Sequence, residues 1–313
     1  MNRLGQQKVP FLFLIDFEMK KPFIVRLNEV DPTEILFSIH GFTNAIEKIH
    51  SENIAIEKSA GSLVDYKKKF DKVLDHLAYG DSFLTNLTVK TELKLAGSLQ
   101  DVFYQSEAKY KLLFKNQFLV FSPETFVQIR DGKIYAYPMK GTIDASVVNA
   151  REKILSDQKE LAEHVTIVDL IRNDLSQVAS RVVVSRFRYI EEVRSRQKNL
   201  LQVSSEIYGW LDRDYKNHLG DILLKLLPAG SVSGAPKPKT LEIIRDVEGE
   251  ARGYYTGVFG YFNGKDLDCG VMIRFIEKAG MKYFYRSGGG ITTQSDVESE
   301  YRETIDKVYV PVA

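Results

Sequence analysis

The chain of 313 residues is poor in cysteine, in long apolar runs and in net charge. Its one cysteine, Cys269, cannot form an internal disulfide, which favours a reducing compartment. No stretch approaches the roughly 18 apolar residues of a membrane span, and the run VPFLFLIDF is interrupted by Asp16, so it predicts a strand. The net charge of +1 gives no reason to expect nucleic acid or membrane as a partner. We therefore expect a soluble, cytoplasmic protein.

What is present is enough apolar sequence for a large core, with 44% hydrophobic residues. We find no internal repeat, low-complexity tract or Pro/Gly/Ser-rich linker. These features predict one continuous domain over residues 1–313, with a boundary near residue 60 as the alternative. Several β-hairpins alternate with helices along the chain, which indicates an α+β fold rather than a doubly wound parallel sheet.

Four segments carry clear periodicity. A helix is predicted over 62–78, capped by Ser62 and ended by Gly80, and an alternating strand over 82–93. Apolar residues recur at helical spacing from about 150 to 176, with Ser156 as a candidate cap. The segment SDVESEYRETIDKVY predicts a final helix.

A first hairpin is predicted around Asp131-Gly132, a strong two-residue turn. Counting outward from this turn places Glu124 opposite Met139. A bulge at Pro138, which cannot donate to the ladder, would turn Lys140 towards Glu124. The arrangement predicts either an ordinary salt bridge at a sheet end or a reactive pair.

A second hairpin is predicted around Asn263-Gly264. As a two-residue turn it pairs Tyr255 with Met272, on the same face as Arg274. A tyrosine and an arginine on one face can hold a carboxylate, because the guanidinium makes paired contacts. An ordinary surface pair is the alternative.

Two predicted helices each carry carboxylates one turn apart, Glu160 with Glu163 and Glu300 with Glu303. Lys307 follows Glu303 by four residues. Either pair alone is typical of a solvated face. Together, without a His or Cys cluster, they suit a hard ion such as Mg²⁺, which prefers oxygen ligands and an anionic substrate.

A glycine run, SGGGITTQSD, precedes the last helix. Glycines that lead into a helix N-terminus can offer N–H groups to an anion, although a tight loop explains the run equally well. His164 is interpreted as a packed histidine rather than a ligand, and Cys269 as a core residue.

The chain contains, in order, SPETF, YPMKGT, ELAEHVTIVDLIRNDL, SVSGAPKPKTLEII, RGYYTGVFGY, MIRF, GGGI and ESEYRETIDK. In order and spacing these segments resemble the chorismate-utilising enzymes, which include anthranilate, aminodeoxychorismate, isochorismate and salicylate synthases. The resemblance extends over about residues 80–308. It implies an α+β fold in which two large, mostly antiparallel sheets pack together with helices outside.

The resemblance also implies roles for individual residues. It implies Mg²⁺ as cofactor, with these metal-site glutamates: Glu160, Glu163, Glu300 and Glu303. It implies that chorismate is held by Tyr255, Arg274, Gly288, Gly289, Gly290 and Lys307, and that Gly141 and Thr142 line the same site. Glu124 resembles the general acid that protonates the departing 4-hydroxyl.

The residue before Gly-Thr separates branches of the family. Anthranilate synthases resemble PIAGT, whereas this chain has PMKGT followed by IDAS. Lys140 is similar to the lysine of the aminodeoxychorismate-forming branch, where it is proposed to attack C2 of chorismate as the C4 hydroxyl leaves. Ammonia then adds at C4 and expels the lysine. Such a role requires that burial or nearby Mg²⁺ deprotonates Lys140, and that Glu124 is protonated when it acts.

Other positions bear on the branch. Isochorismate and salicylate synthases carry a lysine base where this chain has Leu84, so no water-activating base is visible. The ammonia source is expected to be a separate glutamine amidotransferase subunit. The N-terminal part, about 1–60, is short against relatives and lacks the Leu-Leu-Glu-Ser element that binds tryptophan. The resemblance therefore implies that this chain is the synthase component that aminates chorismate at C4, for p-aminobenzoate and folate synthesis. The alternatives are an anthranilate-forming component or a non-catalytic chorismate-binding subunit.

Overall fold

The computed structural model describes residues 1–46, 56–59, 61–194 and 199–311. The helices are α1 (Asn2–Gln6), α2 (Leu63–Tyr79), α3 (Leu99–Gln105), α4 (Ala150–Ser156), α5 (Gln158–Ser176), α6 (Leu219–Leu226), α7 (Gly230–Ser233), α8 (Lys237–Glu248) and α9 (Val297–Asp306). The strands are β1 (Phe11–Ile15), β2 (Phe23–Arg26), β3 (Ile35–Ile39), β4 (Phe42–Thr43), β5 (Ile56–Ser59), β6 (Leu84–Leu95), β7 (Tyr110–Phe114), β8 (Phe118–Ser122), β9 (Thr125–Arg130), β10 (Lys133–Ala136), β11 (Met139–Asp144), β12 (Ser180–Arg194), β13 (Asn199–Trp210), β14 (Gly234–Ala235), β15 (Val258–Phe262), β16 (Leu267–Val271), β17 (Phe275–Ala279) and β18 (Lys282–Ile291).

Within the described residues these strands form two nine-stranded sheets, in which neighbouring strands pair antiparallel. The first sheet has the order β11-β13-β10-β9-β16-β15-β1-β2, with β12 also on β13. The second has the order β14-β6-β18-β17-β8-β7-β3-β4, with β5 also on β6. The predicted α+β fold with two large sheets is thus confirmed. The alternative boundary near residue 60 cannot be located, because residues 47–55 and 60 lie outside the described residues.

Strand β1 shows how the layers pack. Its side chains alternate between two cores: Phe11 and Phe13 pack with residues of α5 and α6, whereas Leu12 and Leu14 pack between the two sheets. A strand buried on both faces reads as a continuous apolar run, which explains FLFLI. The first sheet is therefore covered by helices on one face and by the second sheet on the other. Helix α3 covers the outer face of the second sheet.

The helix predictions hold with two changes. Ser62 takes the position before α2, but its side chain makes no capping hydrogen bond within the described residues. Gly80 follows the helix and adopts the left-handed conformation that favours glycine. The segment predicted as one helix over 150–176 is two helices divided at Asp157. Asp157 rather than Ser156 caps α5, because its side chain accepts a hydrogen bond from the backbone N–H of Glu160. No helix within the described ranges is long and apolar enough to cross a membrane.

The first hairpin follows the predicted register only near its turn. Arg130 pairs with Lys133 as expected, but β10 ends at Ala136. Beyond Pro138 the chain pairs with β13 instead, where Met139 lies opposite Ser204. The predicted pairing of residue 124 with residue 139 is therefore wrong. The expected irregularity is present in β11, where the register shifts between residues 139 and 142.

The second hairpin has a longer loop than predicted. Phe262 pairs with Leu267, so the loop runs from Asn263 to Asp266. The side-chain oxygen of Asn263 accepts hydrogen bonds from the N–H groups of residues 265 and 266, which stabilises the wider turn. The register moves by two residues, and Gly257 rather than Tyr255 faces Met272.

The glycine run does not lead into a helix. Gly288, Gly289 and Gly290 lie within β18 and pair with β6, and α9 begins only at Val297. Contrary to the prediction, the glycines therefore do not present N–H groups at a helix N-terminus. They form a stretch of strand that has no side chains. A Cβ at Gly288 would lie 2.7 Å from the carbonyl oxygen of Leu87, so this position needs glycine because the backbones approach closely.

Candidate active site

A cavity of about 470 Å³ lies where α5, α7 and the end of α9 meet strands β6, β9, β11 and β18. It is lined by most of the predicted site residues: Glu124, Lys140, Glu163, Tyr255, Arg274, Gly288, Gly289, Gly290, Glu303 and Lys307. Residues far apart in sequence thus line the same cavity. A cavity of this size accommodates a small organic acid.

Lys140 lies at the start of β11, where the strand is irregular. Its ammonium nitrogen Nζ is 2.6 Å from Oε2 of Glu163, so its partner is a carboxylate of α5 and not Glu124. The side chain is 39% exposed, which leaves it open to the cavity. Burial lowers the pKa of Lys140, but the hydrogen bond that its ammonium donates to Glu163 and the charge of that carboxylate outweigh burial and raise the pKa. Burial or nearby Mg²⁺ was expected to deprotonate Lys140. The structure shows that burial is not enough to lower its pKa.

Glu124 lies between β8 and β9, and its backbone is fixed at both ends. Its N–H donates to the hydroxyl of Ser122, and its carbonyl accepts from the N–H of Val271. The carboxyl oxygen Oε1 accepts a hydrogen bond of 2.5 Å from the hydroxyl of Ser231. Burial raises the pKa of Glu124, against smaller lowering effects of Ser231 and Lys307. A carboxyl group whose pKa is raised keeps its proton to higher pH, as a general acid requires.

The four predicted metal-site glutamates lie on α5 and α9. Glu163 and Glu303 line the cavity, where they pair with Lys140 and Lys307 at 2.6 Å each. Glu160 and Glu300 do not line it, and burial raises the pKa of both.

The residues present fit a hard cation in chemistry. The Oε2 atom of Glu160 is buried and has no hydrogen-bond partner among the described residues, and all four ligands are carboxylates. All four are also close enough to interact electrostatically with Lys140. Within the described ranges, however, no three acidic, His or Cys side chains are gathered closely enough to form a metal site as they stand. Lys140 and Lys307 supply positive charge in this arrangement.

The predicted carboxylate-binding residues Tyr255, Arg274 and Lys307 all line the cavity. The guanidinium of Arg274 donates to the carbonyl oxygen of Lys307 at 2.8 Å and lies over the ring of Tyr309. The backbone φ of Arg274 is 53°, a strained value that is found preferentially at functional positions. The ammonium of Lys307 donates to the carbonyl of Gly288 at 2.8 Å. Tyr255 is 3% exposed and packs against Phe275.

Besides Glu160 and Glu300, Gly141 and Thr142 also lie outside the cavity lining. Thr142 is exposed, and Gly141 turns at φ 81°. A Cβ at Gly141 would lie 2.8 Å from Oε2 of Glu160. In this structure Gly141 therefore makes room for a carboxylate.

Three further residues behave as follows. His164 is fully buried, and its Nε2 lies 2.7 Å from the hydroxyl of Ser205; burial lowers its pKa to about 4, so it is a neutral packed histidine. Cys269 is in the core, its thiol donates to the carbonyl of Val127, and burial raises its pKa. Leu84 lines the cavity with an aliphatic side chain.

Ser231, which lies on α7 and lines the cavity, was not predicted as a site residue. A largely buried ion pair next to α7, in which Lys237 lies 2.8 Å from Oδ2 of Asp174, was not predicted either. Ser231 and Lys237 belong to the segment SVSGAPKPKT, whose small side chains show no periodicity from which their orientation could be predicted.

The comparisons with known proteins show the family to which this chain belongs. The family model described as chorismate binding enzyme matches residues 37–313. An uncharacterized PabA-like protein of Haemophilus influenzae is 47% identical over 311 residues, covering 99% of this chain and 95% of the relative.

More distant relatives carry assigned names. Anthranilate synthase component 1 of Archaeoglobus fulgidus is 34% identical over 80% of this chain and 62% of its own length. Aminodeoxychorismate synthase component 1 of Bacillus subtilis is 30% identical over 78% of this chain and 54% of its own length.

Solved structures share the fold. Anthranilate synthase component I of Streptococcus pneumoniae superposes with a TM-score of 0.67 and 25% identity, over 83% of this chain and 60% of the other. A structure described as an isochorismate synthase of Bacillus anthracis superposes with a TM-score of 0.74 at 19% identity. The superposition covers 98% of this chain and 86% of the other.

Proposed function

Because this chain belongs to the chorismate binding enzymes, we propose that it converts chorismate and ammonia into 4-amino-4-deoxychorismate and water, as aminodeoxychorismate synthase component 1. This product is the precursor of p-aminobenzoate in folate synthesis.

The observation that carries the proposal is the position of Lys140. A primary amine that lines the same cavity as the predicted carboxylate-binding residues and is paired with a carboxylate suits a nucleophile that attacks a bound dicarboxylic acid. An alanine at the same position, as in the anthranilate-forming pattern, offers no such group. The lysine therefore favours amination at C4 over amination at C2.

The proposed reaction has two displacement steps. In the first, the neutral amine of Lys140 bonds to C2 of the ring, the two ring double bonds move to C1=C6 and C4=C5, and the C4–O bond breaks, while Glu124 delivers the proton that lets the hydroxyl leave as water. In the second, ammonia bonds to C4 and the bond between C2 and Lys140 breaks. The proton lost by the added ammonia returns to Glu124, so atoms and charge balance.

Lys140 must lose its proton before it attacks. In the structure Glu163 opposes that loss, because an ionised carboxylate at 2.6 Å stabilises the ammonium form. Any change that engages Glu163 elsewhere favours the neutral amine.

We propose that Mg²⁺ is held by Glu163 and Glu303, with Glu160 and Glu300 one turn earlier. When bound, the ion would neutralise a chorismate carboxylate and draw the charge of Glu163 away from Lys140. Arg274 and Lys307 would hold the remaining carboxylate charge.

A separate glutamine amidotransferase subunit is the proposed ammonia source. The buried thiol of Cys269, whose pKa is raised, is unsuited to be a glutaminase nucleophile, which must be an exposed thiolate. The chain alone is expected to use ammonium salts and not glutamine.

An anthranilate-forming activity is the second candidate, because the Archaeoglobus relative of that name is 34% identical. A non-catalytic chorismate-binding subunit is the third. The product distinguishes the first two, and retained binding without turnover would identify the last.

The test is mass spectrometry of products after incubation with chorismate, Mg²⁺ and excess ammonium salt at mildly alkaline pH. The wild type should form 4-amino-4-deoxychorismate, and Lys140→Ala should lose at least about 100-fold in rate. Lys159→Ala is the matched control, because Lys159 also faces Glu163 but is 73% exposed and 3.9 Å away. Anthranilate as the product, with Lys140→Ala fully active, would refute the proposal.

A further inference from the structure

Glu124 has one hydrogen-bond donor to its carboxyl group among residues 1–46, 56–59, 61–194 and 199–311. That donor is the hydroxyl of Ser231, at 2.5 Å from Oε1. The backbone contacts of Glu124 fix its Cα but leave the side-chain torsions free. The direction of the carboxyl within the cavity therefore depends on Ser231.

The segment that carries Ser231 is held firmly. The carbonyl of Val232 accepts a hydrogen bond of 2.7 Å from the guanidinium of Arg252, which is itself buried and doubly bonded to Glu248. Gly234 packs against the carbonyl oxygen of Leu84 so closely that a Cβ would lie 1.8 Å from it. Because α7 is held rigidly, the hydroxyl of Ser231 can fix the orientation of the flexible carboxyl of Glu124.

The opposite side of α7 is also fixed. A Cβ at Gly230 would lie 3.0 Å from Oδ2 of Asp174, the oxygen that pairs with Lys237. The ammonium of Lys237 also donates to the carbonyl of Leu226. The residues on either side of Ser231, Gly230 and Val232, thus each contact a largely buried ion pair, and Ser231 itself lines the cavity.

We infer that Ser231 is a positioning residue that aims the carboxyl of Glu124 at the leaving hydroxyl of the substrate. This inference rests on the proposed function, because it gives Glu124 the role of general acid. The hydrogen bond also stabilises the carboxylate, so it limits how far burial raises the pKa of Glu124. The charged group that acts on this carboxyl from a neighbouring element is Lys307, after α9.

Ser231→Ala is expected to lower kcat and to raise the pH at which the alkaline limb lies. The kcat should fall about 10- to 100-fold, because a misdirected acid loses its alignment, while KM for chorismate changes little. The alkaline limb of the pH profile of kcat should move to higher pH, because the carboxylate loses a donor. A merely structural loss lowers activity without moving that limb. Ser231→Thr keeps the hydroxyl and should restore most of kcat and the original limb.

Ser233→Ala is the matched control. Ser233 lies on the same short helix, and its buried hydroxyl donates to the carbonyl of Ala229 rather than to Glu124. It should leave the pH profile unchanged. Equal losses in Ser231→Ala and Ser233→Ala, or no rescue by Ser231→Thr, would overturn the inference.

A readout independent of turnover separates this inference from the proposed function. Carboxyl ¹³C NMR of Glu-labelled protein, with Glu124 assigned through Glu124→Gln, follows the titration of that group directly. Its midpoint should rise in Ser231→Ala and stay in Ser233→Ala, whatever product the enzyme forms. An unchanged midpoint in Ser231→Ala would overturn the inference even if 4-amino-4-deoxychorismate is formed.

Discussion

The ammonium nitrogen of Lys140 and the carboxylate of Glu163 lie 2.6 Å apart, so the proposed nucleophile is paired with a proposed metal ligand. One carboxylate cannot hold a proton on the lysine and serve a divalent ion equally well. The two roles are therefore in competition, and the competition can be measured.

Removing Glu163 and removing Lys140 should change the affinity for Mg²⁺ in opposite directions. Glu163→Gln deletes a charged ligand and should weaken binding at least about tenfold. Lys140→Met removes a competing cation that is 39% exposed and should strengthen binding by up to about fivefold, since pairs of this kind are worth at most about 1 kcal/mol. Calorimetric titration with MgCl₂ checks both. Glu298→Gln, on the same helix as Glu303 but exposed and paired with Arg302, should bind like the wild type. Equal affinities in all variants would exclude Glu163 as a ligand.

Glu124→Gln should lower kcat about 10²- to 10⁴-fold, the usual contribution of a positioned acid. Burial raises the pKa of Glu124, so the protonated, active form is lost as pH rises through that pKa. The wild-type rate should accordingly fall on the alkaline side, whereas the residual rate of the variant should show no such fall. Initial rates across pH test this. A variant that keeps the same alkaline limb would assign the limb to another group.

Arg252→Ala should destabilise the fold by about 3–5 kcal/mol, because it leaves the buried carboxylate of Glu248 without its cation. The double variant Arg252→Met with Glu248→Leu should lose clearly less than the sum of the two single losses. Urea unfolding gives the free energies. The exposed pair of Arg302 and Glu298 is the control, and Arg302→Ala should cost less than about 1 kcal/mol. Similar losses at both arginines would mean that Arg252 acts only as a surface charge.

Gly234→Ala and Gly249→Ala form a matched pair, because both glycines have positive φ. At Gly249 a Cβ has no heavy atom within 4 Å, so alanine should cost only about 1–2 kcal/mol for the left-handed backbone. At Gly234 the carbonyl oxygen of Leu84 blocks the Cβ, which should add about 1–3 kcal/mol and lower activity through α7. Thermal unfolding and chorismate turnover measure the two effects. A Gly234 variant as stable and active as the Gly249 variant would show that this contact yields freely.

Local patterns in the sequence predicted most of the elements and the helical carboxylate pairs. The periodicity of α5 and α9 placed Glu160 with Glu163 and Glu300 with Glu303 correctly, because spacing along a helix depends on no other segment. The two-residue turn at residues 131–132 was equally local. These features need only the chain's own backbone geometry.

Features that depend on other segments were missed. The loop at Asn263 is longer because its side chain stabilises a wider turn, and the glycines of β18 lie in a strand because β6 approaches their backbones. Ser231 was missed for the same reason, since its partner Glu124 lies 107 residues away along the chain. No local period encodes such a contact.

The burial of Cys269 has a practical consequence for spectroscopy. The only native thiol sits in the core with a raised pKa, so thiol-directed labels should leave it unmodified in the folded protein. Cysteines introduced at Val148 and Met281, which are 77% and 96% exposed, would then carry a donor and an acceptor dye without a cysteine-free background. Energy transfer between them would report, in solution, how the separation of the two sheets responds when chorismate or Mg²⁺ is added.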